Sequence, residues 1–349
     1  MFSTTSLRTF ILSIFSCIIF TISAEGQFKP EFWWAIDFNS IFDNREGDAT
    51  YTSNQTIFQT QLAPEIGLTL NDGKHRVAAG AVWTQPIDGN WDNHSIRPTI
   101  YYRFTGKKWQ FSMGMFPRHQ LIRRLPNYIW SDSNYYTQHN IRGALIQYKN
   151  TGGFFEALID WRSIPTASRR EAFNIIAQGE WKHNNGLLVA GGLAMMNHLA
   201  KSKNAPDDQY VVDNFMANPW VGLELGQKIN VLDSMAIRIG VLSDIARDRS
   251  HGSKFKFAAG AWVDIDAQWR WLELKNTLYC GQRLFPFINH YGEMLNQGEP
   301  MYASRYFDRA TLSAYILRKS FMTLKASLDF NFAESCFQFY QRIQLNISF

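Results

Sequence analysis

The residues best suited to chemistry in this 349-residue sequence are charges set within short alternating runs. A basic cluster, Arg118, His119, Arg123 and Arg124, precedes the nearest downstream carboxylate, Asp132. Cations grouped in this way raise the local concentration of anions, and rings of Arg or Lys favour anion passage where they line a pore. On an outer surface the same cluster would bind the phosphates of polysaccharide. A second set comprises Arg97, Arg103, Glu156, Asp160, Arg162, Glu180, Lys182 and Asp264. Each alternates with apolar neighbours, so in extended chain the charges share one face. They would form a sorted field across a lumen, or pair across strands at about 0.2 to 1 kcal/mol per pair.

Hydrolytic chemistry needs closer constellations. Glu156 and Asp160 would lie roughly 13 Å apart along one strand, too far for a glycosidase pair, while Asp264 and Asp266 would lie about 6.6 Å apart, within the range of an inverting pair. Two carboxylates on a water-filled wall are the plainer reading of the second. No Gly-x-Ser-x-Gly, His-Glu-x-x-His or Cys-x-x-Cys motif occurs, which removes the common hydrolase and zinc signatures. Asp88, Asn90 and Asp92 open like a calcium loop, but the sixth-position Gly and terminal Glu are missing. The expectation is therefore a protein that is not an enzyme, with no catalytic residues, cofactor or metal. The net charge of +5 is spread along the chain, which argues against nucleic acid.

The elements that must position these charges are strands. At the C-terminus Phe337, Phe339, Ile343, Leu345, Ile347 and Phe349 alternate with polar residues over a length that suits a transmembrane β-strand. The same period of two recurs in Phe58–Leu70, Val77–Trp83, Ile96–Phe104, Phe155–Arg162, Phe173–Lys182, Met235–Val241, Phe255–Asp266 and Met322–Phe330. Short turn signals such as Asn71-Asp72-Gly73-Lys74 and Asn150-Thr151-Gly152-Gly153 alternate with long connections near 40–54, 86–95, 116–139, 163–170, 199–213, 244–253 and 281–304. That asymmetry predicts an all-β, antiparallel up-and-down transmembrane barrel of about 16 strands. Two junctions carry weak signals: 266–271 has no Gly or Pro, and Gly143–Tyr148 has no clean face.

Composition agrees, with 15% aromatic and only 19% charged residues. Arg8, the apolar run Thr9–Ile22 and Ser23-Ala24 read as a cleaved signal peptide over 1–24, leaving 25–349 as one barrel domain. No later stretch is long and apolar enough for a spanning helix. Cys280 and Cys336, three strands apart on this map, are expected to be free.

With this pattern, the chain resembles bacterial outer-membrane porins and porin-like barrels. Ile343, Leu345, Ile347 and Phe349 are similar to the C-terminal signal read by the barrel-insertion machinery. Gly114 to Arg118, Tyr135-Tyr136, Gly143 and Asp160-Trp161 are similar to a pattern recurring in such barrels. The resemblance implies the outer membrane of a Gram-negative bacterium, contact with lipid and lipopolysaccharide, and a homotrimer. It also implies an inward-folded third loop, here 116–139, that narrows the pore. The implied function is passive diffusion of small hydrophilic solutes, anion-preferring on the charges of that loop. Two alternatives stand beside it: a plugged barrel for export or attachment of surface polysaccharide, and a secreted soluble all-β glycan-binding protein or glycosidase.

Overall fold

The computed structural model describes residues 29–349 apart from 89, 185, 226–228, 230 and 251–253; the signal peptide expected over 1–24 lies outside the described residues. Among the described residues, sixteen strands run from β1 (Glu31–Gly47) to β16 (Cys336–Ser348). Each pairs with its sequence neighbours, and β1 pairs antiparallel with β16 from Asp37↔Ser348 to Gly47↔Gln338, which closes the barrel. Closure leaves no strand edge unpaired, the condition for strands in a medium without water.

The alternation decides which face goes where. Phe32, Trp34, Phe58, Ile66, Val77, Ile100, Ile239 and Phe257 point outward and are exposed, while Gln61, Glu65, Thr99, Asn174, Asp244 and Asp329 are buried inside. A soluble β-sandwich buries its apolar faces between sheets, so the outward belt excludes the soluble reading of the fold. Trp109, Trp181, Trp269, Trp271, Phe321 and Phe349, all exposed, lie at or beside the short turns, where amphipathic and aromatic rings suit a membrane interface.

Both junctions with weak signals form regular structure. Residues 266–271 hold the end of β12 (Lys256–Trp269) and a tight turn into β13 (Leu272–Gly281). Arg270 supplies the left-handed conformation there at φ +51°, a place where Gly would normally avoid about 1–2 kcal/mol of strain. Gly143–Tyr148 lies within β6 (Asn140–Asn150). Some connections are shorter than expected, because β1 continues to Gly47 and β11 (Ser234–Asp248) extends through the polar residues 244–248. Beyond an apolar belt both faces of a strand can be polar, so composition there does not mark the strand's end.

Candidate functional site

β5 (Trp109–Pro117) hands the chain into the third long connection, which turns into the barrel and returns at β6. Leu125, Tyr128, Ile129 and Trp130 are fully buried there, and the short helix α1 (Asp132–Thr137) starts with Ser131 capping the Asn134 N–H. A backbone inside a lumen needs hydrogen-bond partners, and the wall supplies them. Glu156 on β7 (Gly153–Ser163) accepts the N–H of Ile122 at 2.8 Å and of Arg123 at 3.1 Å, along with the amides of Gln147 and Gln178. Gln59 and Gln61 on β2 (Gln55–Leu70) donate to the Tyr136 carbonyl.

The basic residues of this connection are not the unpartnered cations that their spacing suggested. Arg118 meets Asp160 at 2.6 Å and lies over the Trp130 ring, Arg123 meets Glu180 at 2.6 Å, and Arg124 meets Asp132 at 2.7 Å. The partners Asp160 and Glu180 stand on wall strands remote in sequence, so local charge counting could not reveal them. Asp132 also receives Arg309 from β14 (Tyr306–Arg318) at 2.5 Å and Arg342 from β16 at 2.8 Å, and both arginines share Asp329. Burial pushes the Asp132 carboxyl up, but Arg309, Arg342 and Arg124 outweigh it and hold it well below the usual carboxylate range.

A second connection, 282–305, also folds inward, which the sequence reading assigned to a polar loop. Its Ser131–Gln297 and Asn127–Glu299 backbone bonds are both 2.7 Å. Leu284, Phe285, Leu295, Met301 and Tyr302 are buried; their number in so polar a segment was the available signal. Phe285 donates its N–H to Asp244 at 2.7 Å.

Between the inserted loop and β1, β2 and β16 lies a cavity of about 640 Å³ holding Asp37, His119 and His139. Asp37 Oδ2 is 3.5 Å from His119 Nδ1, and the two imidazole rings are 6.1 Å apart. One donor atom from each residue can be chosen so that all three lie within 4.8 Å of one another. His139 Nε2 is buried and has no hydrogen-bond partner. Burial, reinforced by His119, pushes His139 down to about 4, so its ring is neutral at pH 7.

A second cavity, about 790 Å³, opens among the long connections. Arg97, Arg142, Arg162, Arg169 and Arg170 line it, with Glu293 as the one carboxylate residue among its lining. Arg162 is held by Asn174 and the Met294 carbonyl, both at 2.8 Å, Arg170 by the Ala200 carbonyl at 2.8 Å, and Arg169 by the Ile164 carbonyl at 3.1 Å. Neutral acceptors fix these side chains, and among the described residues none of the five arginines makes an ion pair within 4 Å. His139 and Gln138 line both cavities, so the arginines and the imidazole–carboxylate group share a wall.

The expected site residues thus separate. Arg97 and Arg162 reach the arginine cavity and His119 the imidazole group. Glu156, Asp160 and Glu180 anchor the loop, and Arg103 bonds Gln110 at 2.6 Å on the wall. Lys182 pairs with Glu224 at 2.9 Å and Asp264 with Arg238 at 3.1 Å. Asp264 lines a third cavity of about 400 Å³ with Arg123 and Arg124. Of the signal-like C-terminal residues, Ile343 and Phe349 are exposed on the outer face. Asp37, His139, Arg142, Arg169 and Arg170 were missed; only the parity of Asp37, one residue after Ile36 in the outward file, marked it as lumenal.

Residues 28–349 match the family model described as lipid A 3'-O-deacylase-type. The chain belongs to this family. No curated protein matches it. Among solved structures, the outer membrane protein OpdK from Pseudomonas aeruginosa is similar over 91% of this chain and 99% of that one, at 8% identity and a TM-score of 0.52. OccK2 (OpdF) of the same organism covers 91% and 97%, at 9% identity and 0.49. The first likeness shows the porin-like barrel fold. Membership of the lipid A 3'-O-deacylase-type family, named for an ester hydrolase, corrects the expectation that the chain is not an enzyme. The motifs whose absence supported that expectation are short and local, whereas barrel closure gathers groups from distant strands.

Proposed function

We propose that this lipid A 3'-O-deacylase-type chain is an outer-membrane enzyme of a Gram-negative bacterium that hydrolyses an acyl ester on an anionic glycolipid. The observation that carries the reading is His139, which lies on the wall of both the arginine cavity and the Asp37–His119 cavity. Arginine guanidinium forks suit phosphate oxygens, so the five-arginine wall would hold a phosphorylated head. An ester beside it then faces the imidazole–carboxylate group. That group positions a water whose oxygen attacks the acyl carbonyl while its proton passes to the departing sugar oxygen; the acyl–oxygen bond breaks, giving a fatty acid and a free sugar hydroxyl.

The test is mass spectrometry of phosphorylated, 3'-O-acylated lipid A after incubation with the detergent-purified barrel. Loss of one acyl chain is expected, with Arg162→Gln and Arg170→Gln raising KM and His139→Gln lowering kcat. An intact lipid under all conditions overturns the reading.

A second reading, passage of small hydrophilic anions, is favoured by the same arginines and by the polar cavity beyond the inserted loop at Asp264 and Lys275. Conductance in a planar bilayer, measured without any ester present, tests it separately.

A further inference from the structure

We propose that Asp37, His119 and His139 form a binding site for a divalent transition metal, Zn2+, inside the lumen. The inference deepens the hydrolase reading, since it says what activates the water, but the site stands on geometry of its own. Three conditions for such a site are met. The ligand set is two imidazoles and one carboxylate, the composition of catalytic zinc sites that keep a fourth position for water. Calcium and magnesium take oxygen ligands instead, and imidazole selects the later first-row metals.

The spacing fits as well. Ligands about 2.1 Å from a tetrahedral zinc stand about 3.4 Å from one another. Asp37 Oδ2 and His119 Nδ1 are already 3.5 Å apart, and the whole set lies within 4.8 Å. The His119 side chain is 60% exposed, free to rotate the remaining distance. The third condition is an unexplained donor: His139 Nε2 is buried with no partner, a costly state for a polar atom in the fold. A metal would satisfy it. The three ligands come from a barrel strand and from the two ends of the inserted loop, so the ion would also tie the loop to β1 without touching the ion network around Asp132. The cavity around them supplies space for a water or an ester oxygen in the open position.

The full barrel, purified in detergent and stripped with chelator, should bind Zn2+ with a stoichiometry of one per chain in isothermal titration. Co2+ in its place should give the visible absorption of a four-coordinate site. Affinity should fall at least tenfold in His119→Gln and His139→Gln and in Asp37→Asn, with His290→Gln unchanged. His119→Gln alters a largely exposed side chain and is the variant least able to disturb folding; heat-modifiable migration on a detergent gel checks each. No binding by the wild-type barrel, or equal binding by wild type and the His119 and His139 variants, overturns the site. The titration contains no lipid, so a barrel that binds zinc yet leaves lipid A intact sinks the hydrolase reading alone. One that deacylates without binding zinc sinks the metal site alone.

Discussion

Arg118 and Asp160 meet at 2.6 Å, both buried, and this contact fastens the start of the inserted loop to strand β7. The guanidinium carbon lies over Trp130 from the same loop, 4.0 Å from its ring centre, while the other carboxylate oxygen accepts the Arg142 N–H at 3.0 Å. One ion pair therefore joins the loop, the wall strand that carries the carboxylate, and the strand on which the loop returns.

Removing one partner should cost more than removing both. Arg118→Ala or Asp160→Ala leaves a buried charge unpaired, which typically costs about 3–5 kcal/mol. Either single variant should open the loop to proteolysis near residues 121–125 and shift Trp130 emission to the red. The double variant, Arg118→Met with Asp160→Leu, should recover part of the protection; equal cleavage of all three would reject a specific role for the pair.

The pH response of the loop follows from Asp132. Its carboxyl is held well below the ordinary range of about 3.9. A depressed acid contributes stability that is fully present above the unfolded value and is lost only as pH falls through the folded one. Trp130 emission should thus stay constant from pH 8 to pH 5. Asp132→Asn should change it across that whole window, because Arg309, Arg342 and Arg124 lose a shared anion. A transition near pH 6 that is present in the wild type and abolished by Asp132→Asn would contradict this assignment.

The last strand makes a third prediction. Phe349 stacks on Phe321 at 5.8 Å, and its backbone exchanges hydrogen bonds with Ile36 across the seam. Phe349→Asp places a charge on the outer face near a membrane interface, where the cost of folding in place is about 0–1 kcal/mol. A fall in assembled, heat-modifiable protein larger than that cost predicts would mark the residue as a signal for the insertion machinery. Unchanged assembly would remove that role.

How much of this was legible follows from what each residue's partners are. Strand parity fixed the outward course of Ile66 or Ile239 because period two is a local property that lipid and lumen enforce along each strand. Arg123 was visible as a cation in a long connection, yet its pairing with Glu180 depends on how far the loop descends, which no local period encodes. His139 ends that loop and was passed over for the same reason: its meaning comes from Asp37, brought near only when β1 closes the ring with β16. The second inward loop was readable in principle from Phe285, Leu295 and Tyr302, apolar residues placed where a solvated loop would have none.

Arg97 and Arg142 test the arginine cavity most cleanly, since no carboxylate lies within 4 Å of either side chain among the described residues. Arg162 and Arg170 hold carbonyls of neighbouring loops, so changing them alters structure along with charge. Arg97→Gln with Arg142→Gln should keep the fold and lower the cavity's hold on anions. In a planar bilayer the reversal potential in a salt gradient should move toward cations at low salt. The shift should shrink at 1 M salt, where the screening length falls to about 3 Å from about 10 Å at 0.1 M. On lipid A the same pair should raise KM several-fold with kcat little altered, because charge that holds a phosphate equally in ground and transition states acts on binding alone. If the double variant changes neither reversal potential nor KM at low salt, the five-arginine wall serves the packing of the loops and the anion reading of that cavity falls.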